Sequence, residues 1–168
     1  MNLDRVRGAY ETLLEWVVIA LMAVLFVEVT LGVLYRTFGA SLVWYDEVAS
    51  ILLAWLTFYG SALASVKRAH IGCPEVMALL PTGPRVALRL AAEFLTIAFF
   101  LLMGWKGYQV LGVLETDHLV SLSEVPVAWV QSVVPISAVL IVAAELLTLP
   151  RVLANALHPP AVTGGASH

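Results

Sequence analysis

Charge is what this chain lacks most. Only 12% of its 168 residues are Asp, Glu, Lys or Arg, against about 25% in a soluble domain. With 61% hydrophobic residues and a mean hydropathy of +0.92, there is too little polar surface to coat a globule, which excludes a soluble all-helical domain. The formal net charge of −3 and the lack of a basic face exclude a nucleic-acid partner. One cysteine, Cys73, excludes an intrachain disulfide framework and a Cys-rich metal site. The histidines, His70, His118, His158 and His168, all lie outside the long apolar runs, so no pair is placed to clamp a haem within a bundle. No Gly-rich phosphate loop, HExxH motif or GxSxG elbow occurs. No cofactor, metal or enzymatic activity is therefore expected. The first apolar run is too long for a cleaved leader, and no small-residue cleavage pattern follows it.

What the chain does have is long hydrophobic runs. About 20 apolar residues at a 1.5 Å rise cross the roughly 30 Å hydrocarbon core of a bilayer. Four stretches meet that length, at about 16–35, 45–66, 87–112 and 126–149. No alternating strand pattern exists, and in lipid every backbone polar group must be satisfied internally, so the spans are expected to be helices. The fold class is thus an all-α integral membrane protein with four transmembrane helices. Residues 1–157 read as a single domain, and the Pro/Gly-rich 158–168 as a disordered tail. Glu75 to Leu80 is too short to span and reads as an interfacial helix between the second and third spans. Pro126 suits a first helical turn, and Pro150 is expected to stop the fourth span.

Four spans put both ends of the chain on one side. Of the nine basic residues, Arg5, Arg7, Lys67, Arg68, Arg85, Arg89 and Arg151 fall on the side of the termini, and only Arg36 and Lys106 on the other. The positive-inside rule then places both termini in the cytoplasm. Tyr35, Trp44, Tyr45, Trp105, Tyr108 and Trp129 cluster at the opposite, outer interface, where amphipathic rings prefer to sit.

The stretch from Arg36 to His70 carries the most information. A short loop marked by Gly39 and Ser41 leads to Trp44, Tyr45, Asp46 and Glu47, an uncharged run follows, and Lys67, Arg68 and His70 close it. Asp46 and Glu47 are adjacent, so on a helix they point about 100° apart and form no facing acid/base pair. They read either as a cap at the positive end of the helix dipole or as a pair holding Arg36 or a partner subunit. Trp44 shares a face with Glu47. Lys67, Arg68 and His70 read as a cytoplasmic anchor against lipid headgroups or a partner.

Glu28 is the one charge inside the first span. A carboxylate at the bilayer centre costs roughly 2.5–3.5 kcal/mol on insertion scales, so it must face protein or carry a proton. A proton or ion relay would need further carboxylates; Glu93 and Glu145 are the only candidates in other spans, and both lie near the inner ends. Gly60 and Ala64, like Ser61 and Ser65, repeat at the four-residue spacing that lets helices approach closely in lipid. The few polar side chains do not line up across the spans, which argues for a supporting subunit over a self-sufficient transporter.

The central stretch resembles the small membrane subunit of tripartite ATP-independent periplasmic (TRAP) transporters, the DctQ-like family. The matching positions are Arg36, Ser41, Leu42, Trp44, Asp46, Glu47, Trp55, Gly60, Ser61, Lys67, Arg68 and His70, with Leu122, Pro126, Trp129, Pro135 and Ile136 near and in the fourth span. Asp46 stands where Glu is usual and Ser50 where a basic residue is frequent; Cys73 and Pro74 replace an apolar–acid pair, with Glu75 as a substitute acid. The resemblance implies a sodium-driven uptake system for organic acid anions in the bacterial inner membrane. A large multi-span permease subunit carries the substrate and sodium sites, and a soluble periplasmic binding protein delivers the substrate. It implies that this chain is a non-catalytic scaffold in contact with membrane lipid, with Arg36, Trp44, Asp46, Glu47, Gly60, Ser61 and Ala64 at subunit or docking contacts. The rival readings from the residues alone are a self-associating four-span channel or small exporter, and a membrane enzyme or haem carrier.

Overall fold

The computed structural model describes residues 2–40, 42–67 and 81–157. Among them are α1 (Asn2–Thr37), α2 (Tyr45–Lys67), α3 (Thr82–Val113), α4 (Val127–Gln131) and α5 (Val133–Leu157), with a 3₁₀ turn at Leu114–Thr116. The segments long and apolar enough to cross a membrane are Arg5–Thr37, Tyr45–Lys67, Gly83–Thr116 and Val127–Pro150, so the chain is an all-α, multi-pass membrane protein. The expected interfacial helix at Glu75–Leu80 and the expected disordered tail at 158–168 lie outside the described residues.

Three helix limits differ from those expected, each for a local reason. The polar segment before the first span is helical throughout, because Tyr10 and Leu14 give it an apolar face that packs against α2 and α5. At 36 residues, α1 is about 54 Å long and overhangs the hydrocarbon core. The Pro81–Pro84 segment starts α3 rather than preceding it. Pro84 sits in the first turn, where its missing N–H has no intrahelical acceptor to lose, and the Arg85 N–H bonds the Pro81 carbonyl at 3.1 Å. Pro150 closes the membrane-suited stretch but does not end the helix: α5 runs through it to Leu157. One ladder bond is lost there, and in an apolar setting the remaining backbone groups have no water to turn to.

The fourth span is broken at Ser132, between α4 and α5. Pro135, three residues on, has no N–H for the Gln131 carbonyl, and the ladder resumes with Ile136 N–H on Ser132 O at 3.2 Å. Pro126 precedes α4 with an extended backbone, at the helix cap rather than inside the first turn.

The helices form an open row in the order α1, α2, α5, α3. The outer two, α1 and α3, make no substantial contact with each other. The packed centre lies toward the end of the row where α1 begins and α2 finishes: Leu14, Ala62, Val66, Ile141 and Ala144 are buried there, with Tyr10, Tyr59 and Phe100 against them. Much of the remaining apolar surface is outward-facing, as on Phe26 (71% exposed), Phe94 (75%) and Trp105 (67%). In lipid such surface costs nothing, so packing, small residues and hydrogen bonds hold the row together.

Two glycines on α3 bring it close to α5. A Cβ on Gly104 would meet Ala138 Cβ at 3.1 Å, and one on Gly107 would meet Val134 Cγ1 at 3.0 Å and Pro135 Cδ at 3.3 Å. On α2, Ala62 and Ser65 are the buried small residues. The expected seam residues Gly60, Ser61 and Ala64 are half-buried, and a Cβ on Gly60 would meet nothing within 4 Å.

Candidate functional site

The loop 117–126 meets the start of α2 and the residues just before it at one end of the row, and Glu47 holds it there. Glu47 lies in the first turn of α2, where a carboxylate is favoured by the helix dipole. Its side chain nonetheless reaches away from its own helix. Oε1 accepts the N–H of Val120 at 3.1 Å and Oε2 that of Ser121 at 2.8 Å. The Ser121 hydroxyl returns a bond to the Val43 carbonyl at 3.3 Å. The 117–126 loop is closed on itself by Leu119 N–H to Val125 O at 3.1 Å and Val127 N–H to Asp117 O at 2.9 Å. About two turns further along α2, Trp55 Nε1 donates to Val130 O at 3.0 Å and pins α2 to α4.

The expected pairing with Arg36 is not what the acidic pair does. Arg36 is exposed, and no ion pair links it to Asp46 or Glu47 among the described residues. Glu47 binds backbone amides instead, because the loop presents two adjacent N–H groups that α2 cannot satisfy from its own residues. Asp46 is exposed. With Glu115, Asp117 and Glu124, also exposed, it gives this end of the row an acidic surface.

Beside this latch, a groove of about 520 Å³ runs along α1 to the first loop, lined by Val24, Val27, Leu31, Tyr35, Leu42 and Trp44. Glu28 lines it too. It is 9% exposed, and both carboxylate oxygens are buried with no hydrogen-bond partner among the described residues. Tyr45 closes against α1 at Gly32, where any Cβ would overlap its ring. The Gly32–Tyr45 contact had no signal in residue spacing, because it joins two elements across a loop.

At the other end, Lys67 forms ion pairs with Glu15 and, at 3.8 Å, with Glu11, tying α2 to α1. Arg7 Nη2 caps the Val66 carbonyl at 3.0 Å. The Tyr10 hydroxyl donates to Leu140 O at 2.7 Å. Buried Glu145 accepts from the Ser65 hydroxyl. Arg68 and His70, expected beside Lys67 as anchors, lie outside the described residues. Glu28 has no polar chain leading to it, so it forms no relay with Glu93 or Glu145 among the described residues. No group of three or more His, Cys, Asp or Glu is placed to hold a metal among the described residues.

Compared with curated proteins, the chain has no match. Compared with family models, residues 25–155 match the DctQ component of tripartite ATP-independent periplasmic transporters. That match spans most of the groove on α1, the Glu47 latch, α3 and nearly all of α5, and it covers well over half of the sequence. The chain therefore belongs to the DctQ family, the small membrane component of a tripartite transporter.

Proposed function

We propose that this chain is the small permease subunit of a sodium-driven, binding-protein-dependent transporter for organic acid anions. In this reading it braces the large multi-span permease subunit and offers the periplasmic binding protein a docking platform. It resides in the bacterial inner membrane with both termini in the cytoplasm, so that the Glu47 latch faces the periplasm. The open row carries the reading. A row whose end helices do not meet encloses no polar path, and it presents broad apolar faces along which a larger membrane protein can lie. The exposed carboxylates at the latch end suit a partner with a basic patch. Gly60, with open space beside it, suits a close helix contact from outside this chain. Lys67 holds α2 to α1 at the cytoplasmic end, with Arg68 and His70 beside it in sequence.

Reconstitution tests the reading directly. Vesicles holding this chain and the permease subunit are expected to take up an organic acid anion only with the binding protein present and a sodium gradient imposed. Uptake or ion conductance by this chain alone would overturn it in favour of the self-associating channel. Thiol labelling of Cys73 from outside intact cells would overturn the orientation.

A further inference from the structure

The carboxylate of Glu28 is the feature that nothing among the described residues explains. It is nine-tenths buried, lines an apolar groove, and has no donor on either oxygen among the described residues. A buried carboxylate in that state is unfavourable unless it takes up a proton or a donor or cation arrives, and even the protonated group leaves oxygens to be satisfied. We infer that the α1 groove seats a transmembrane helix of the large permease subunit, and that this helix carries a donor side chain, Lys or Arg, onto Glu28. The inference rests on the scaffold reading above and names the contact face within it.

Depth selects a helix over a lipid. Glu28 lies seven positions before Tyr35 on α1, about 10 Å further into the membrane at the helical rise. Tyr35 belongs to the aromatic belt that marks headgroup level. A headgroup amine would have to sink that far, and acyl tails have no donor to give. A side chain on a neighbouring helix can stand at any depth. Position in the row agrees: α1 is an end helix, and Val24, Val27 and Leu31, which share the groove face with Glu28, are 52%, 54% and 46% exposed, so that face is open to a neighbour. Charge selects the donor. The negative charge of Asp46 acts on Glu28, and no ion pair to Arg36 offsets it among the described residues, so a cation beside Glu28 is favoured over a neutral hydroxyl.

The test uses the whole transporter in its native membrane. A photo-reactive residue is placed at Val27 or at Leu31, with Phe94 on α3 as a control position away from the groove. Illumination is expected to join both groove positions to the permease subunit, on a peptide that contains a Lys or Arg within its membrane span. Adducts from the groove only to lipid, or to a second copy of this chain, would overturn the inference. In parallel, Glu28→Leu and Glu28→Gln chains are purified by a tag and the accompanying permease subunit is measured. Glu28→Leu is expected to lower recovery at least tenfold with helix content unchanged, and Glu28→Gln to lower it less. Full recovery with Glu28→Leu would overturn the contact. If the wild-type chain co-purifies with the permease subunit but the groove yields no adduct to it, the groove assignment fails and the scaffold reading stands. If the wild-type chain brings no permease subunit, both fail.

Discussion

Glu47 and Ser121 are 74 positions apart and joined at 2.8 Å, carboxylate to backbone amide. With the second oxygen on Val120 N–H at 3.1 Å, one side chain sets the position of the loop after α3 relative to the start of α2. Replacing Glu47 by Ala is expected to raise amide exchange at Val120 and Ser121 by at least tenfold. Asp46→Ala should leave both protected, because Asp46 makes no bond to that loop. Hydrogen exchange read by mass spectrometry over 114–126 distinguishes the two; equal effects would mean that the pair acts only through the helix dipole.

Gly32 and Tyr45 form a second contact across the first loop. A methyl at Gly32 would occupy the space of the ring, so Gly32→Ala is expected to cost about 1–3 kcal/mol, the usual range for overpacking. Combining it with Tyr45→Ala should cost less than the sum of the single losses, since the second change removes the obstacle. Strict additivity in a thermal or denaturant melt in detergent would place the ring elsewhere.

Glycines on α3 divide by position. Gly107 faces Val134 and Pro135 at 3.0 and 3.3 Å, whereas a Cβ on Gly112 meets nothing within 4 Å. Gly107→Leu is expected to lower the melting midpoint by several degrees by prying α3 from α5, at a cost of about 1–3 kcal/mol. Gly112→Leu should be neutral or slightly stabilising, as replacing a helical Gly gains about 0.5–1 kcal/mol. The same melts check both variants side by side.

At the opposite end, two polar links between helices should differ in weight. The Tyr10 hydroxyl reaches a backbone carbonyl on α5 within the packed centre, and Tyr10→Phe is expected to cost about 0.5–1.5 kcal/mol. Lys67 and Glu15 are exposed to 40% and 38%; Lys67→Ala should leave stability unchanged at physiological salt, because solvent and ions screen an exposed pair. A larger loss for Lys67→Ala than for Tyr10→Phe would reverse that ranking.

The membrane spans and the helical class were legible in the residues, since both follow from properties of one segment at a time: apolar length, charge at the ends, and no strand alternation. Asp46 and Glu47 at the start of α2 were legible for the same reason. The target of Glu47 was not, because an acid at a helix start is equally well placed to cap its own helix or to reach a distant loop. The small-residue spacing pointed to Gly60 and Ala64, yet the close approach inside the chain is made by Gly104 and Gly107. Spacing marks which residues permit contact and leaves open which neighbour arrives. Pro150 shows a limit of another kind: proline costs one ladder bond, and whether a helix ends there depends on whether water is present to take the freed groups.

By itself, then, the sequence determined that this protein lies in a membrane, how many times it is suited to cross, and where its aromatic and basic borders fall. These are transfer free energies of single segments between water and hydrocarbon. Only the tertiary structure decided the order α1, α2, α5, α3, the reach of Glu47 to Ser121, and the burial of Glu28 with no hydrogen-bond partner among the described residues. Those are pairwise distances between segments far apart in the chain, and hydropathy, a property of each residue alone, carries no record of them.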